Sequence, residues 1–191
     1  MLRRQQGFSL LEVILAMALS SIMMVSVTSL FPGFIRQYLN SYRLYRVEQA
    51  MSVALLNIEK DLRRAGFIKE GRVGNAVSFS QSSGNIGSCL IIRYDLNGNG
   101  KIEEQESYTS EVFGYRLHQG ALEQHRGALH CSGNGWEKIT DLSEVEITNL
   151  DVEKVNADKE ITYFIIRLNG HWRGNLSLSK RLFSIVKAEN L

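Results

Sequence analysis

Apolar residues fill the first part of the chain almost without interruption. Between Phe8 and Phe31 the only charged side chain is that of Glu12, and the other polar residues are serines and one threonine. At a rise of 1.5 Å per residue, this stretch is long enough for a helix to cross a hydrocarbon core about 30 Å thick. The pattern predicts a membrane-spanning helix over residues 8–31.

Helical periodicity resumes after Pro32-Gly33. Pro removes a backbone donor, so we expect a kink near Pro32. Gly66 is a typical residue for ending a helix. The pattern predicts one long helix from Phe8 to Ala65, with Gly66 closing the segment 8–66 and a second half that is amphipathic. The apolar positions of this second half recur every three or four residues; they are Tyr38, Tyr42, Tyr45, Met51, Leu55, Ile58, Leu62 and Ala65.

The remaining segment, residues 67–191, has short β-rich runs separated by Gly and Asn. His118-Gln119-Gly120-Ala121 and Asn169-Gly170 are typical of hairpin turns. Antiparallel strands that cover one face of a long helix make an α+β fold. We therefore expect a long N-terminal helix packed on an antiparallel β-sheet domain. The predicted strands are Val77–Ser80, Cys89–Tyr94, Tyr108–Leu117, Ala121–His125, Val145–Val155, Ile161–Asn169 and Leu176–Val186.

The charge balance disfavours one class of partner. The chain of 191 residues has 22 Lys and Arg residues and 20 Asp and Glu residues. Two of the basic residues, Arg3 and Arg4, lie before the apolar run, and without them the opposite charges are equal in number. A neutral chain gives no support to a nucleic-acid-binding surface.

The string Gly7-Phe8-Ser9-Leu10-Leu11-Glu12 resembles the processing site of type IV prepilins and of the pseudopilins of type II secretion. The resemblance implies that residues 1–7 are a leader, that prepilin peptidase cuts between Gly7 and Phe8, and that Phe8 is then N-methylated. It also implies that Glu12 meets the N-terminal amine of a neighbouring subunit inside the lipid. A buried carboxylate is tolerated when a cation compensates it, and cleavage creates such a cation.

The N-terminus has two alternative interpretations. In an ordinary secretory signal, Arg3 and Arg4 would form the basic region and Ala16-Met17-Ala18 the cleavage site. The apolar run disfavours this interpretation because it continues well past Ala18. A plain membrane anchor accounts for the length of the run, but it accounts neither for Gly before Phe nor for Glu12.

The end of the predicted helix extends the resemblance. The stretch from Ile58 to Phe67 is similar to the corresponding region of minor pilins and of one group of minor pseudopilins. The resemblance implies a type IV pilin-like fold, an inner-membrane helix and a periplasmic globular domain. It implies a structural subunit, not an enzyme, that helps initiate or cap a type IV pilus. Implied partners are prepilin peptidase, other minor and major pilins, and membrane lipid. The alternative within the family is a minor pseudopilin of a type II secretion system.

Two cysteines, Cys89 and Cys131, lie outside the apolar helix. Export to an oxidising compartment, which the prepilin-like N-terminus implies, would allow them to form a disulfide. The alternative is two unrelated buried thiols. We expect the disulfide.

A calcium-loop pattern begins at Asp95. Residues 95–106 fit D-x-[DN]-x-[DN]-G-x5-E at every fixed position. The flanking segments have the character of strands and not of EF-hand helices, and Asn-Gly pairs form turns without any metal. The loop is thus either a weak calcium site or a metal-free hairpin loop. If it binds calcium, a further alternative for the whole protein is a membrane-anchored calcium-binding protein that forms no filament. The expected ligands are Asp95, Asn97, Asn99, Lys101 through its carbonyl, Glu103 and Glu106.

Other chemistry is weakly indicated. His125, His130 and Cys131 do not match a zinc-ligand spacing, and Cys131 has a better partner in Cys89. The sequence contains no HExxH or G-x-S-x-G motif that would mark a catalytic centre. We therefore nominate no catalytic residue and no cofactor other than calcium.

Overall fold

The computed structural model describes residues 7–71, 73–80, 86–105, 107–158 and 161–191. Its elements in chain order are α1 (Leu10–Arg64), β1 (Val77–Ser80), β2 (Ile86–Gly87), β3 (Cys89–Arg93), β4 (Val112–His118), β5 (Ala121–Arg126), β6 (Glu137–Lys138), β7 (Val145–Asp158), β8 (Ile161–Trp172) and β9 (Asn175–Ala188). The chain separates into two compact units, one up to Tyr42 and one from Arg43 to Leu191.

The predicted long helix is present as α1. It begins at Leu10, runs through Pro32 and ends at Arg64. The predicted stop at Gly66 is confirmed, because Gly66 has a φ of 81°, which a side chain disfavours. Its amide donates to the carbonyl of Arg93, so the end of the helix is joined to the end of β3. The kink expected near Pro32 stays a prediction.

The strands form two antiparallel sheets. The five-stranded sheet has the order β1-β3-β4-β5-β6, and the four-stranded sheet has the order β2-β7-β8-β9. The predicted α+β class is confirmed: one long helix packs on antiparallel sheets. The last turns of α1 provide Val47, Met51, Ile58 and Leu62 to a core shared with both sheets. From the sheets this core receives, among others, Leu90, Ile92, Tyr115, Leu122, Leu150, Val152, Phe164, Ile166 and Leu168.

Polar contacts fix the packed part of α1 against the sheets. The guanidinium of Arg46 donates through Nε and Nη2 to Oε2 of Glu144, at 3.0 and 2.7 Å. Lys180 of β9 lies 2.9 Å from Glu48. Hydrophobic contacts alone would allow the helix to slide along the sheets. Charged hydrogen bonds are directional, so they favour one rotation of the helix and one position along its axis.

Two turn predictions had opposite outcomes. The hairpin at Gln119-Gly120 is confirmed: both residues have positive φ, 48° and 79°, and they join β4 to β5. The turn predicted at Asn169-Gly170 is wrong, since both residues lie inside β8. Gly170 lies in a tightly packed place, because a Cβ there would lie 3.2 Å from the backbone oxygen of Glu146, and 3.1 and 3.0 Å from Met51 Sδ and Ile147 Cδ1.

Several predicted strand boundaries differ from the structure, and the largest difference is at the start of β4. Residues 108–111 of the predicted strand Tyr108–Leu117 lie outside β4, which begins at Val112. Ser107 and Thr109 share a hydroxyl hydrogen bond, and Ser110 N donates to the carbonyl of Ser107. These local bonds favour a turn over an extended strand. The two-residue strands β2 and β6 were not predicted, because they are too short to show an alternating pattern.

Candidate functional site

The N-terminal segment is open where processing is predicted. Gly7, Phe8 and Ser9 precede α1 and are exposed, and the ring of Phe8 is 82% accessible. The carbonyl of Ser9 accepts hydrogen bonds from the amides of Glu12 and Val13, which begins the helix. The peptide bond between Gly7 and Phe8 therefore lies in exposed, non-helical chain.

Glu12 lies in the first turn of α1. A carboxylate there is favoured by the partial positive charge of a helix N-terminus. Phe8, Glu12, Ala16 and Ser20 line one shallow groove along the helix surface. Because their spacing is four residues, the acid, the small residues and the prospective N-terminus share one face.

From Leu10 to Phe31, most of the side chains that α1 exposes are apolar. An 18-residue window of α1 has a mean hydropathy of 2.2, and none of it is buried. By length and composition, this helix can span a membrane. Each described hydroxyl between positions 20 and 29 donates to a carbonyl three or four residues earlier, which lowers the cost of placing it in lipid. These pairs are Ser20 to Met17, Ser21 to Ala18, Ser26 to Ile22, Thr28 to Met24 and Ser29 to Ser26.

Asp95, the first predicted calcium ligand, is 2% exposed and organises the loop that follows β3. Its Oδ1 accepts the amides of Gly98 and Asn99, and its Oδ2 accepts those of Gly100 and Lys69. Burial raises the pKa of this carboxyl, but the four amides outweigh burial and hold the pKa below its ordinary value. Asp95 thus remains charged and ties the loop to the segment after α1.

The other predicted calcium ligands converge only in part. Glu103 accepts the side-chain amides of Asn97 and Asn99, at 3.2 and 2.6 Å. The side-chain oxygen of Asn99 accepts the amide of Lys101, at 2.8 Å. In this arrangement the donors of the two asparagines face the carboxylate, so a cation beside Glu103 would require both amide groups to rotate.

Calcium binding at this loop stays a prediction. Glu106, the expected bidentate ligand, lies outside the described residues. Among the residues that are described, His, Cys, Asp and Glu side chains form no group of three or more suited to a metal. The hydrogen bonds alone account for the shape of the described part of the loop.

Glu111 is a buried acid of this loop that the sequence pattern did not single out. Its Oε1 accepts the amides of Leu96 and Asn97, at 2.7 and 3.0 Å. Burial raises the pKa of Glu111, whereas bonds from Asn99 and with Glu111 lower the pKa of Glu103. The one sequence feature that could have drawn attention to Glu111 is its position directly before the apolar strand β4.

The predicted disulfide is present. Cys89 on β3 is bonded to Cys131 in the segment after β5, and the two lie 42 residues apart in sequence. Because the thiol of Cys131 is consumed in this bond, it does not join His125 or His130 as a metal ligand. Nearby, the Arg116 guanidinium stacks 4.3 Å from the Trp136 ring and donates to the carbonyl of Cys131.

A second acid that was not predicted lies at the centre of the core. Asp61 of α1 is 1% exposed and accepts the hydroxyls of Tyr94 and Tyr115, at 3.0 and 2.6 Å. The signal was an acid at the position between Ile58 and Leu62 on the apolar face of the helix. Its role is structural, since it joins α1 to the five-stranded sheet.

Comparison with known proteins identifies the family. The family model of prepilin peptidase-dependent protein B matches residues 40–188, most of the chain. This chain belongs to the prepilin peptidase-dependent protein B family. The match includes the last turns of α1, both sheets, the disulfide and the loop at Asp95. The sequence itself predicts a similarity to protein B, through the paired cysteines, that loop and the strand-rich pattern. The family match confirms this prediction.

Two further comparisons agree with membership of the protein B family. The model of the prokaryotic N-terminal methylation motif matches residues 2–28, which include Gly7, Phe8 and Glu12. Prepilin peptidase-dependent protein B of Escherichia coli (strain K12) is 33% identical over 149 residues, which cover 78% of this chain and 78% of the relative. No solved structure matches the chain significantly.

Membership of the protein B family decides the broad class of the molecule. It is a pilin-like protein with an N-methylation motif, and its family is one of structural proteins. Its exposed apolar helix and this motif fit a membrane-anchored protein.

Proposed function

We propose that this protein is a minor pilin-like subunit that prepilin peptidase processes and that helps initiate or cap a type IV pilus. The observation that carries the proposal is the position of Glu12. It is the one charged side chain between Phe8 and Phe31, and it lies one helical turn from the predicted new N-terminus.

The proposed mechanism begins with cleavage between Gly7 and Phe8. Cleavage frees the α-amine of Phe8, which is then methylated and keeps a positive charge. On insertion scales an acid at the centre of a membrane helix costs roughly 2.5–3.5 kcal/mol, which is an upper bound for Glu12 in the first turn of α1. The amine of one subunit and Glu12 of its neighbour reduce this cost for each other, and their pairing sets the axial position of the two helices.

The groove face of α1 supports the next step. Ala16 and Ser20 lie four residues apart beside Glu12. Small residues at this spacing allow helices to approach closely in lipid. The helix of a sister subunit that approaches this face brings its own N-terminus near Glu12. We assign the folded unit from Arg43 onward to the choice of partners.

The proposed location is the inner membrane, with the folded unit in the periplasm. The basic residues Arg3 and Arg4 precede the apolar segment and favour a cytoplasmic N-terminus. The Cys89–Cys131 disulfide suits an oxidising compartment on the other side.

The decisive experiment is mass spectrometry of the protein recovered from cell membranes. The proposal predicts a mature chain that begins with N-methylated Phe8. An intact Met1 would support a membrane anchor that forms no filament, and a chain that begins after Ala18 would support a secretory signal. Gly7→Val should block cleavage without disturbing the fold, because no atom lies within 4 Å of the Cβ position.

A second experiment separates processing from assembly. Glu12→Gln keeps the size of the side chain and removes its charge, so cleavage should persist while pilus formation falls. The matched control is Ser26→Ala, which removes a hydroxyl that bonds only within its own helix. Normal piliation in Glu12→Gln cells would overturn the pairing step. Normal piliation together with impaired protein secretion would favour the alternative, a minor pseudopilin of a type II secretion system.

A further inference from the structure

Strand β9 forms one edge of the four-stranded sheet over 14 residues. It pairs with β8 along its whole length, from Ala188 opposite Thr162 to Asn175 opposite Trp172. Among the described residues, its other side has no strand partner and receives no backbone hydrogen bond from another element. A long edge strand with unpaired backbone groups is a template for pairing with another chain, and natural proteins usually shorten, cover or charge such edges.

The outward face of β9 carries a defined pattern. Arg181, Phe183, Ile185 and Lys187 alternate with inward residues and are all exposed. Phe183 and Ile185 are 61% and 56% accessible, although both belong to strongly apolar residue types. Behind them on the same face lies Ile165 of β8, which is paired with Ile185. This face, which we call the β9 face, is thus an apolar pair between two cations.

The charges of β9 restrict what can dock on it. The strand contains three basic residues, Lys180, Arg181 and Lys187, and no acid. Lys180 is engaged by Glu48 of α1, and Lys187 lies 3.8 Å from Glu189 just beyond the strand. No ion pair of Arg181 is recorded in the part of the chain that the structure describes. The side chains of β9 itself carry a net positive charge, which favours an acidic partner strand.

A second copy of this chain fits this edge poorly. Antiparallel pairing of two β9 strands that places Phe183 opposite Ile185 also places Arg181 opposite Lys187, twice. Like charges directly opposite each other across strands are destabilising. In any register, a second β9 also has no acid to face Arg181 and Lys187, so a different chain is the better occupant.

We propose that β9 pairs, edge to edge, with an acid-rich strand of another pilin-like subunit. The apolar pair Phe183 and Ile185 would be covered by alternate apolar residues of that strand, and Arg181 and Lys187 would face its carboxylates. Main-chain bonds supply affinity in such strand addition, and the side chains on alternate positions supply specificity. That the partner is a sister subunit rests on the proposed function, whereas the acidic strand chemistry does not.

The first experiment tests the chemistry with the full-length protein in detergent micelles. The probes are two synthetic peptides of about ten residues, one that alternates apolar residues with Asp and one with Lys in place of Asp. The acidic peptide should bind about tenfold more tightly than the basic one and lose affinity as salt is added. Hydrogen exchange should slow in the amides of β9 when the acidic peptide is present.

Variants make this test specific. The double variant Arg181→Glu, Lys187→Glu should reverse the preference between the two peptides. The matched control, Arg63→Glu with Lys138→Glu, changes the total charge equally at two exposed residues outside β9 and should leave the preference unchanged. Equal binding of both peptides, or protection of a segment other than β9, would overturn the proposal.

The second experiment tests the partner in cells, with a photo-crosslinking residue in place of Phe183 or, as a control, of the exposed Tyr108. Cross-links to another pilin-like subunit should form from position 183 and not from position 108. If methylated Phe8 and pili are present but position 183 forms no such cross-link, the edge proposal fails and the proposed function stands. If Phe8 is unprocessed, the proposed function fails, and the peptide experiment still decides the chemistry of the edge.

Discussion

The carboxyl oxygen Oδ2 of Asp61 lies 2.6 Å from the hydroxyl oxygen of Tyr115, and both side chains are buried. The other oxygen, Oδ1, accepts the hydroxyl of Tyr94 at 3.0 Å. An acid within an apolar core is costly to bury unless its oxygens are hydrogen-bonded. Here the acid of α1 accepts one hydrogen bond from Tyr115 in β4 and one from Tyr94 directly after β3.

Removing either side of this contact should destabilise the folded unit. Asp61→Ala leaves two buried hydroxyls without an acceptor and should lower the free energy of unfolding by roughly 2–4 kcal/mol. Tyr115→Phe keeps the ring and should cost about 1–2 kcal/mol. Chemical denaturation measures both changes. Tyr108→Phe, at an exposed ring, is the control and should change stability by less than about 0.5 kcal/mol. Equal effects of the two tyrosine substitutions would contradict this role of Asp61.

Stability should fall at alkaline pH. Burial, and then the charge of Asp61, raises the pKa of Tyr115 above its ordinary value of 10.0, and the pKa of Tyr94 is raised by the same causes. The unfolded chain therefore releases these protons first, so their contribution is complete below about pH 10 and is lost as pH rises beyond it. Denaturation curves from about pH 8 to about pH 11 should show this decline. The decline should be shallower in Tyr115→Phe, and parallel curves would refute the assignment.

Loss of the disulfide should reduce stability by about 3–4 kcal/mol. Cys89 and Cys131 close a loop with a sequence separation of 42, and breaking it returns chain entropy to the unfolded state. The double variant Cys89→Ser, Cys131→Ser should unfold at lower denaturant concentration. A reductant should shift the native protein to the same midpoint and leave the variant unchanged. If reductant leaves the denaturation curve of the native protein unchanged, the prediction is wrong.

Gly170→Ala should be destabilising although the position lies in a regular strand. A Cβ there would lie 3.0 Å from Ile147 Cδ1, 3.1 Å from Met51 Sδ and 3.2 Å from the backbone oxygen of Glu146, so these neighbours must give way. Crowding of this kind costs roughly 1–3 kcal/mol. Gly74→Ala is the control, because nothing lies within 4 Å of its Cβ position. If thermal melting places both variants at the same temperature, close packing is not the reason for Gly170.

Calcium at a millimolar concentration should raise the melting temperature. We propose weak binding at the loop after β3, with an affinity on the order of millimolar, as in extracellular calcium modules. Glu103→Gln should remove the rise and cost the loop one acceptor for the asparagine amides. Asp95→Ala should remove the rise and loosen the loop more, since Asp95 accepts four amides. Magnesium serves as the control ion. No shift at about 10 mM calcium would end the proposal.

Regular spacings in the sequence predict much of this molecule. The three- to four-residue spacing up to Leu62 and the glycine at position 66 predict the helix and its end, and Gln119-Gly120 predicts a hairpin. The helix and the hairpin depend on local geometry, so the order of the residues alone encodes them. The candidate processing site at Gly7, Phe8 and Glu12 was indicated instead by resemblance to prepilins.

Features that depend on distant neighbours were not predicted. Gly170 is typical of a turn by residue type, but its packing partners lie about 20 and 120 positions away in the chain. Glu111 and Asp61 were not singled out, since their donors come from other elements. The division of the strands into two sheets was also not predicted, because the alternation within a strand does not reveal its neighbours.

The packed part of α1 is held at two separated heights, by Arg46 on Glu144 and by Asp61 under the two tyrosines. These points lie 15 residues apart, or about 22 Å along the axis. A slip by one helical turn would place Asn57 or Ala65 beneath the tyrosines and leave their hydroxyls without a carboxylate. A force along the axis of this part of the helix is therefore transmitted to the sheets through these directional hydrogen bonds.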